Sequence, residues 1–244
     1  MNLRQSLIFF GIPGLAVFLL VNAFVPYAVN LGIPLLVSWS IALWLPIIIW
    51  FVGVIGHYWM RRRDHNFSER FRFKNISKQD GLLILVGVVL VQIFELLLFP
   101  TGKFFAQLAY FTPPDIIPEL FSPYFDINNG LTHFFDIPVK GNWWLVWFWL
   151  GWLVINIGGE EILWRGYALP LQERIFGRYA WLINGLCWNL LIHFFLRWNF
   201  VALMPISLII PYLVQRQKNT WIGVFIHGIG NGLVLVVLIP AIIG

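Results

Sequence analysis

The chain has 244 residues, of which 59% are hydrophobic and only 11% charged, with a formal net charge of +5. Soluble domains carry roughly 25% charged residues, so this composition excludes a soluble globular domain and describes one polytopic membrane domain with several spans. The positive balance does not indicate nucleic acid, because the basic residues stand in loops between apolar runs, where positive-inside topology and anionic lipid headgroups account for them. The single cysteine, Cys187, excludes an internal disulfide and a Cys-based zinc cluster and reads as a packed thiol.

Seven apolar runs can be drawn, roughly 7–29, 33–58, 81–99, 143–169, 179–197, 199–215 and 220–242. They predict an all-α transmembrane helical bundle of about seven spans and up to eight helices. The first run follows one arginine, has no small-residue cleavage site and is expected to be a retained helix. The loop after the second run carries Arg61, Arg62, Arg63, Arg70, Arg72, Lys74 and Lys78. Arg4, Arg174, Arg178, Arg216 and Lys218 fall on the same side if the spans alternate. That bias places the N-terminus in the cytoplasm; the chain is expected in the cell (cytoplasmic) membrane. Segment 100–142 contains Pro113, Pro114, Pro118, Pro123 and Pro138, so it cannot be one helix. Its aromatic residues suggest an irregular cap at the outer interface. Trp143, Trp144, Trp147, Trp149 and Trp152 open the fourth run; several belong to an aromatic belt and others pack inside.

The polar residues within the apolar runs carry the functional signal. Ionisable groups in hydrocarbon cost a few kcal/mol each unless paired or hydrated. Glu160, Glu161 and Arg165 nevertheless share one run. Glu161 and Arg165 stand at i, i+4 in the favourable order for an ion pair. Glu160 is offset by about 100° and lacks a charged partner in its own helix, which suits a general base or acid. Gly158 and Gly159 permit close approach, and Pro170 limits the helix soon afterwards. Asn189 and His193 share a face in the fifth run; His227 and Asn231 do so in the last, where Gly228 and Gly232 form a small-residue packing pattern. Taken singly, each histidine reads as an interhelical hydrogen-bonder; with Glu160, they read as one converging site. Gln92 and Glu95, one turn apart towards the outer end of the third run, read as interfacial, with lining of the site's cavity as the alternative. Convergence demands a tilted, later-starting or broken fifth helix, since His193 lies about 20 Å along it at 1.5 Å per residue.

These elements, in this order, resemble the CPBP family of intramembrane proteases. That family includes the CAAX-processing endoprotease that trims prenylated proteins and bacterial bacteriocin-processing or self-immunity (Abi-like) relatives. Its Glu-Glu-x-x-x-Arg motif is matched by Glu160, Glu161 and Arg165, and its His-x-x-x-Asn motif by His227 and Asn231. In its Phe-x-x-x-His motif, His193 matches but Asn189 replaces Phe. The resemblance covers roughly 143–235, dividing the chain into N-terminal helices with loop and cap (1–142) and a protease-like core (143–244). It implies an endopeptidase acting on a membrane-anchored peptide or protein. Glu160 would be the general base on water, assisted by His193. His227 and Asn231 would stabilise the oxyanion, and Glu161 and Arg165 would orient the site. No cofactor is expected; zinc on Glu160, His193 and His227 is the alternative, although a His-Glu-x-x-His run is absent. A non-hydrolytic binding or immunity protein on the same fold is the second reading. A proton-coupled transporter is the third, disfavoured because no internal repeat is visible. The sequence is silent on oligomeric state.

Overall fold

The computed structural model describes residues 1–61, 66–126 and 130–244; Arg62, Arg63 and His65 of the basic loop lie outside the described residues. Helix α1 (Leu3–Leu19) opens on a capping box made by Asn2 and Gln5. It continues through a π turn (Leu20–Phe24) into α2 (Val25–Asn30). Pro26 has no N–H to return to the carbonyl four residues back, so the register widens just before it. Helices α3 (Leu35–Arg61), α4 (Phe67–Arg70), α5 (Lys78–Leu98) and α6 (Pro100–Ala106) follow. Then α7 (Trp144–Glu160) runs into a π segment (Glu161–Ala168) and α8 (Leu169–Phe176). After α9 (Ala180–Leu190) and a 3₁₀ stretch (Ile192–Asn199) come α10 (Met204–Gln217), α11 (Trp221–Gly232) and α12 (Val234–Ile243). Among the described residues, five segments are long and apolar enough to cross a membrane: Leu3–Asn30, Leu35–Tyr58, Lys78–Leu98, Trp144–Leu190 and Trp221–Ile243. The chain is an all-α, polytopic integral membrane bundle.

Hydrogen bonds sort the loops to two ends. At one end the Met1 ammonium donates to the Leu171 carbonyl. There too, Arg72 grips Glu173 through both carboxylate oxygens at 2.7 and 2.9 Å, and Lys218 joins the same carboxylate. At the other end Arg197 donates to the carbonyls of Tyr110 and Thr112, and the Gly141 N–H to Ile242 O at 2.9 Å. Among the described residues the chain therefore passes between these two ends seven times, as the alternation of apolar runs predicts. The fifth and sixth passes depart from simple spans. Helix α9 has 11 residues and α10 has 14, so each is shorter than the ~20 residues of a spanning helix. The fifth pass is a broken helix: Leu191 sits at φ −110°, ψ −56°, and Leu196 at φ −109°, ψ 37°. Pro170 does not stop the fourth pass. It is accommodated at the start of α8, and the two turns before it loosen to π geometry.

Part of the cap folds inward as a hairpin, while Phe104, Tyr110 and Tyr124 stay exposed. Two short strands, β1 (His133–Phe134) and β2 (Ile137–Pro138), pair antiparallel with His133 opposite Pro138. Their two-residue turn holds Phe135 and Asp136 at φ 50° and 64°, the left-handed pair that matches strand twist. Phe134 and Phe135 are fully buried, and Phe134 meets Trp149 edge-on at 5.5 Å. The tryptophans divide as expected. Trp143, Trp144 and Trp147 are exposed, while Trp149 and Trp152 are buried and stacked at 4.8 Å. Cys187 is a buried free thiol. Two apolar cores result, one at the cap end around Trp39, Trp149 and Trp198, the other around Trp164, Trp188 and Ile226. The polar residues lie at the seam between them.

Candidate active site

Glu160 ends α7, with its side chain buried and both oxygens engaged. Trp188 Nε1 donates to Oε2 at 2.7 Å, and Asn156 Nδ2, one turn earlier on the same helix face, donates to Oε1 at 3.2 Å. Both donors are neutral, so the carboxylate is held in place without being neutralised, and each oxygen keeps a lone pair for a water.

Glu161 begins the π segment and is wholly buried. Its Oε1 lies 3.0 Å from His227 Nδ1 and 3.5 Å from an Arg165 terminal nitrogen, the i, i+4 ion pair read from the sequence. Its Oε2 lies against Gly223: a Cβ there would stand 2.3 Å from that oxygen, so the glycine is what lets α11 bring His227 to Glu161. The Arg165 guanidinium rests 4.1 Å from the Trp188 ring centroid, a cation–π contact strengthened by burial.

His193 follows the break after α9. Its Nδ1 lies 3.2 Å from the Trp188 carbonyl. A carbonyl can only accept, so this ring nitrogen carries the proton, and Nε2 keeps its lone pair. The broken helix brings His193 back to the level of Glu160. It also separates His193 from Asn189, so the expected common face is absent. Asn189 donates to Phe200 O at 2.9 Å and tethers the broken segment. Asn231 stands on α11 one turn beyond His227, and its carbonyl accepts from Trp149 Nε1 at 3.2 Å.

Glu160, His193, His227 and Asn231 all line one cavity of about 260 Å³ at the seam of the two cores. Glu161 and Arg165 stand behind its wall. Apolar residues form most of the lining, including Val17, Leu43 and Ile47 from the N-terminal helices and Leu120 and Phe121 from the cap. Gln92 and Glu95 also line this cavity; the interfacial reading of them is corrected, because α5 turns that face inward against α11. Gly228 and Gly232 have no neighbour within 4 Å of a built Cβ; the close approaches on α11 are at Gly223 and Gly230.

Trp188 and Asn156 were not singled out by the sequence. Asn156 carried a usable signal, lying four residues before Glu160. Trp188 carried none, as one of 14 tryptophans. Among the described residues no three His, Cys, Asp or Glu side chains come close enough to share a metal ion.

Fold and site together define an integral membrane helical bundle with a carboxylate–imidazole cavity among its spans. Residues 142–233 match the model of the Rce1-like family, described as type II CAAX prenyl endopeptidase Rce1-like. The matched segment is less than half of the chain. It contains every motif residue named above, in agreement with the resemblance those motifs carry. Comparison with curated proteins and with solved structures finds no match.

Proposed function

We propose that this chain is an intramembrane endopeptidase that hydrolyses a peptide bond in a membrane-associated, CAAX-type prenylated substrate, using water activated by Glu160. The observation that carries the reading is the meeting of Glu160, His193, His227 and Asn231 on the wall of one largely apolar cavity. The cavity, about 260 Å³, has room for several waters beside Glu160.

Peptide hydrolysis needs an activated water, donors for the oxyanion and a proton for the leaving amine. Glu160 takes a proton from water, held also by His193 Nε2, as the oxygen attacks the scissile carbonyl. The C–O bond forms and the carbonyl π pair moves to oxygen. With His227 Nδ1–H donating to Glu161, its Nε2 donates only in the doubly protonated ring. Glu161 stabilises that form, as a carboxylate does for a catalytic imidazolium. His227 Nε2–H and the Asn231 amide are then the two oxyanion donors. Collapse of the intermediate breaks the C–N bond, and the proton on Glu160 passes to the leaving nitrogen. Arg165 balances the second carboxylate, so the buried set of two carboxylates, one guanidinium and one imidazolium carries no net charge.

The N-terminus and the basic loop are assigned to the cytoplasmic side by their lysines and arginines. Asn189, which stands in place of the family's phenylalanine, donates to the Phe200 carbonyl.

The test is cleavage of a farnesylated CAAX peptide by purified protein in nanodiscs, beside Glu160→Gln and with chelator. Cleavage that is unaffected by chelator and falls by at least about a thousandfold in the variant is the expected result. Cleavage lost to chelator and restored by zinc would replace the glutamate mechanism. Cleavage retained by Glu160→Gln would remove the proposal.

A further inference from the structure

Helix α5 lies outside the segment matched to the protease family, yet it presents Gln92 and Glu95 to the cavity, joined by Phe99 just past its C-terminal end. These positions fall at i, i+3 and i+7, one helix face. The face is pressed inward by two close approaches to α11. A Cβ at Gly87 would stand 2.5 Å from Ile226 Cδ1, and one at Gly230 would stand 3.3 Å from Gln92 Nε2. Gly230 immediately precedes Asn231, so α5 is seated directly beside the oxyanion donors.

Glu95 differs from the other two carboxylates here. Glu160 is held by Trp188 and Asn156, and Glu161 by His227 and Arg165. Among the described residues the Glu95 side chain has only a long 3.4 Å bond, donated by Gln92 Nε2 to its Oε2. Among them no lysine or arginine lines the cavity, and the two histidines are already bonded through Nδ1 to Glu161 and to the Trp188 carbonyl. A carboxylate in a membrane span without a partner cation is costly, and it becomes favourable when a cation enters the same apolar space.

We propose that Glu95 is a specificity residue: the substrate subsite beside Asn231 takes a cationic side chain, an ammonium or guanidinium, which Glu95 pairs. The proposal rests on the proteolytic reading for its substrate class. It assigns to the N-terminal helices a role in selection, while the matched segment holds the reacting groups.

The experiment uses the full chain in nanodiscs of zwitterionic lipid, so that headgroup charge does not itself favour a basic peptide. Two farnesylated peptides are compared, with Lys or Gln next to the prenylated Cys. Cleavage is measured for the wild type and Glu95→Gln. Binding is measured by fluorescence anisotropy for Glu160→Gln and for Glu160→Gln combined with Glu95→Gln. The expected result is a preference for the Lys peptide of about tenfold, the scale of one charge-assisted hydrogen bond, in both kcat/KM and affinity. That preference falls to near one when Glu95 is replaced. An equal ratio in wild type and Glu95→Gln, or no preference at all, overturns the subsite. A Glu95-dependent preference in binding without any cleavage upholds the subsite and removes the proteolytic reading. Absence of both binding and cleavage overturns both.

Discussion

Trp188 joins more of the site than any ionisable group in it. Its indole N–H holds Glu160, its ring carries Arg165, and its carbonyl fixes the His193 tautomer. The ring also meets His193 and His227 edge-on at 4.4 and 5.3 Å. Trp188→Phe removes the 2.7 Å bond to Glu160 but keeps an aromatic face under Arg165. A buried charge-assisted bond of this kind is worth about 1.5–3 kcal/mol. We therefore expect kcat to fall by about one to two orders of magnitude, with Tm lowered by only a few degrees. Parallel steady-state kinetics and thermal unfolding separate the two effects; an unchanged kcat would mean that Glu160 is positioned by other groups. The six charged and polar motif residues were legible in the sequence because charge inside an apolar run is conspicuous. Trp188 was not, since a tryptophan among tryptophans announces no hydrogen bond. Glu95 was visible but misplaced: its distance along α5 suggested the interface, and only the packing of α5 on α11 decides which way it faces.

At the scale of elements, the site depends on two departures from regular helix. The π segment Glu161–Ala168 sets Glu161 and Arg165 on the side of α11, and the break at Leu191 returns His193 to Glu160. Spacing rules assume 3.6 residues per turn, so they identified the Glu161–Arg165 pair but not the widened turn that contains it. They flagged the depth of His193 as requiring tilt, a later helix start or a break, without choosing among the three. Pro170 is the physical source of the first departure, because it offers no N–H to the Gly166 carbonyl and its ring crowds that turn. The loosened turn is anchored from behind, where Asn184 Nδ2 donates to the Trp164 carbonyl at 2.9 Å. Replacing Pro170 by alanine restores the missing donor and favours ordinary α register. This change should leave Tm equal or higher, while rotating Glu161 away from His227 and reducing kcat at least tenfold. The magnitude corresponds to the loss of one positioned charge-assisted bond, about 1.4 kcal/mol or more. A variant with undiminished kcat would show that the π register is incidental to the site.

For the whole molecule, the seven passes and the two loop ends follow from the apolar runs and the proline-rich segment. The inward fold of the cap does not, because its phenylalanines suit an interface and a core equally well. The cap closes one end of the cavity with Leu120 and Phe121. Arg72, Glu173, Lys218 and the N-terminus tie the other end together. The basic residues at that tied end, with few at the cap end, make orientation testable on intact cells. Asn75 and Asp115 are exposed at opposite ends, and Cys187 is buried. Asn75→Cys and Asp115→Cys, each with Cys187→Ser, should therefore react differently with a membrane-impermeant maleimide. The position-115 thiol should label from outside, and the position-75 thiol only after the membrane is permeabilised. Labelling of both from the same side would break the seven-pass reading. Reversed labelling would keep the passes and overturn the positive-inside assignment, moving the cap, and the cavity end it closes, to the cytoplasmic face.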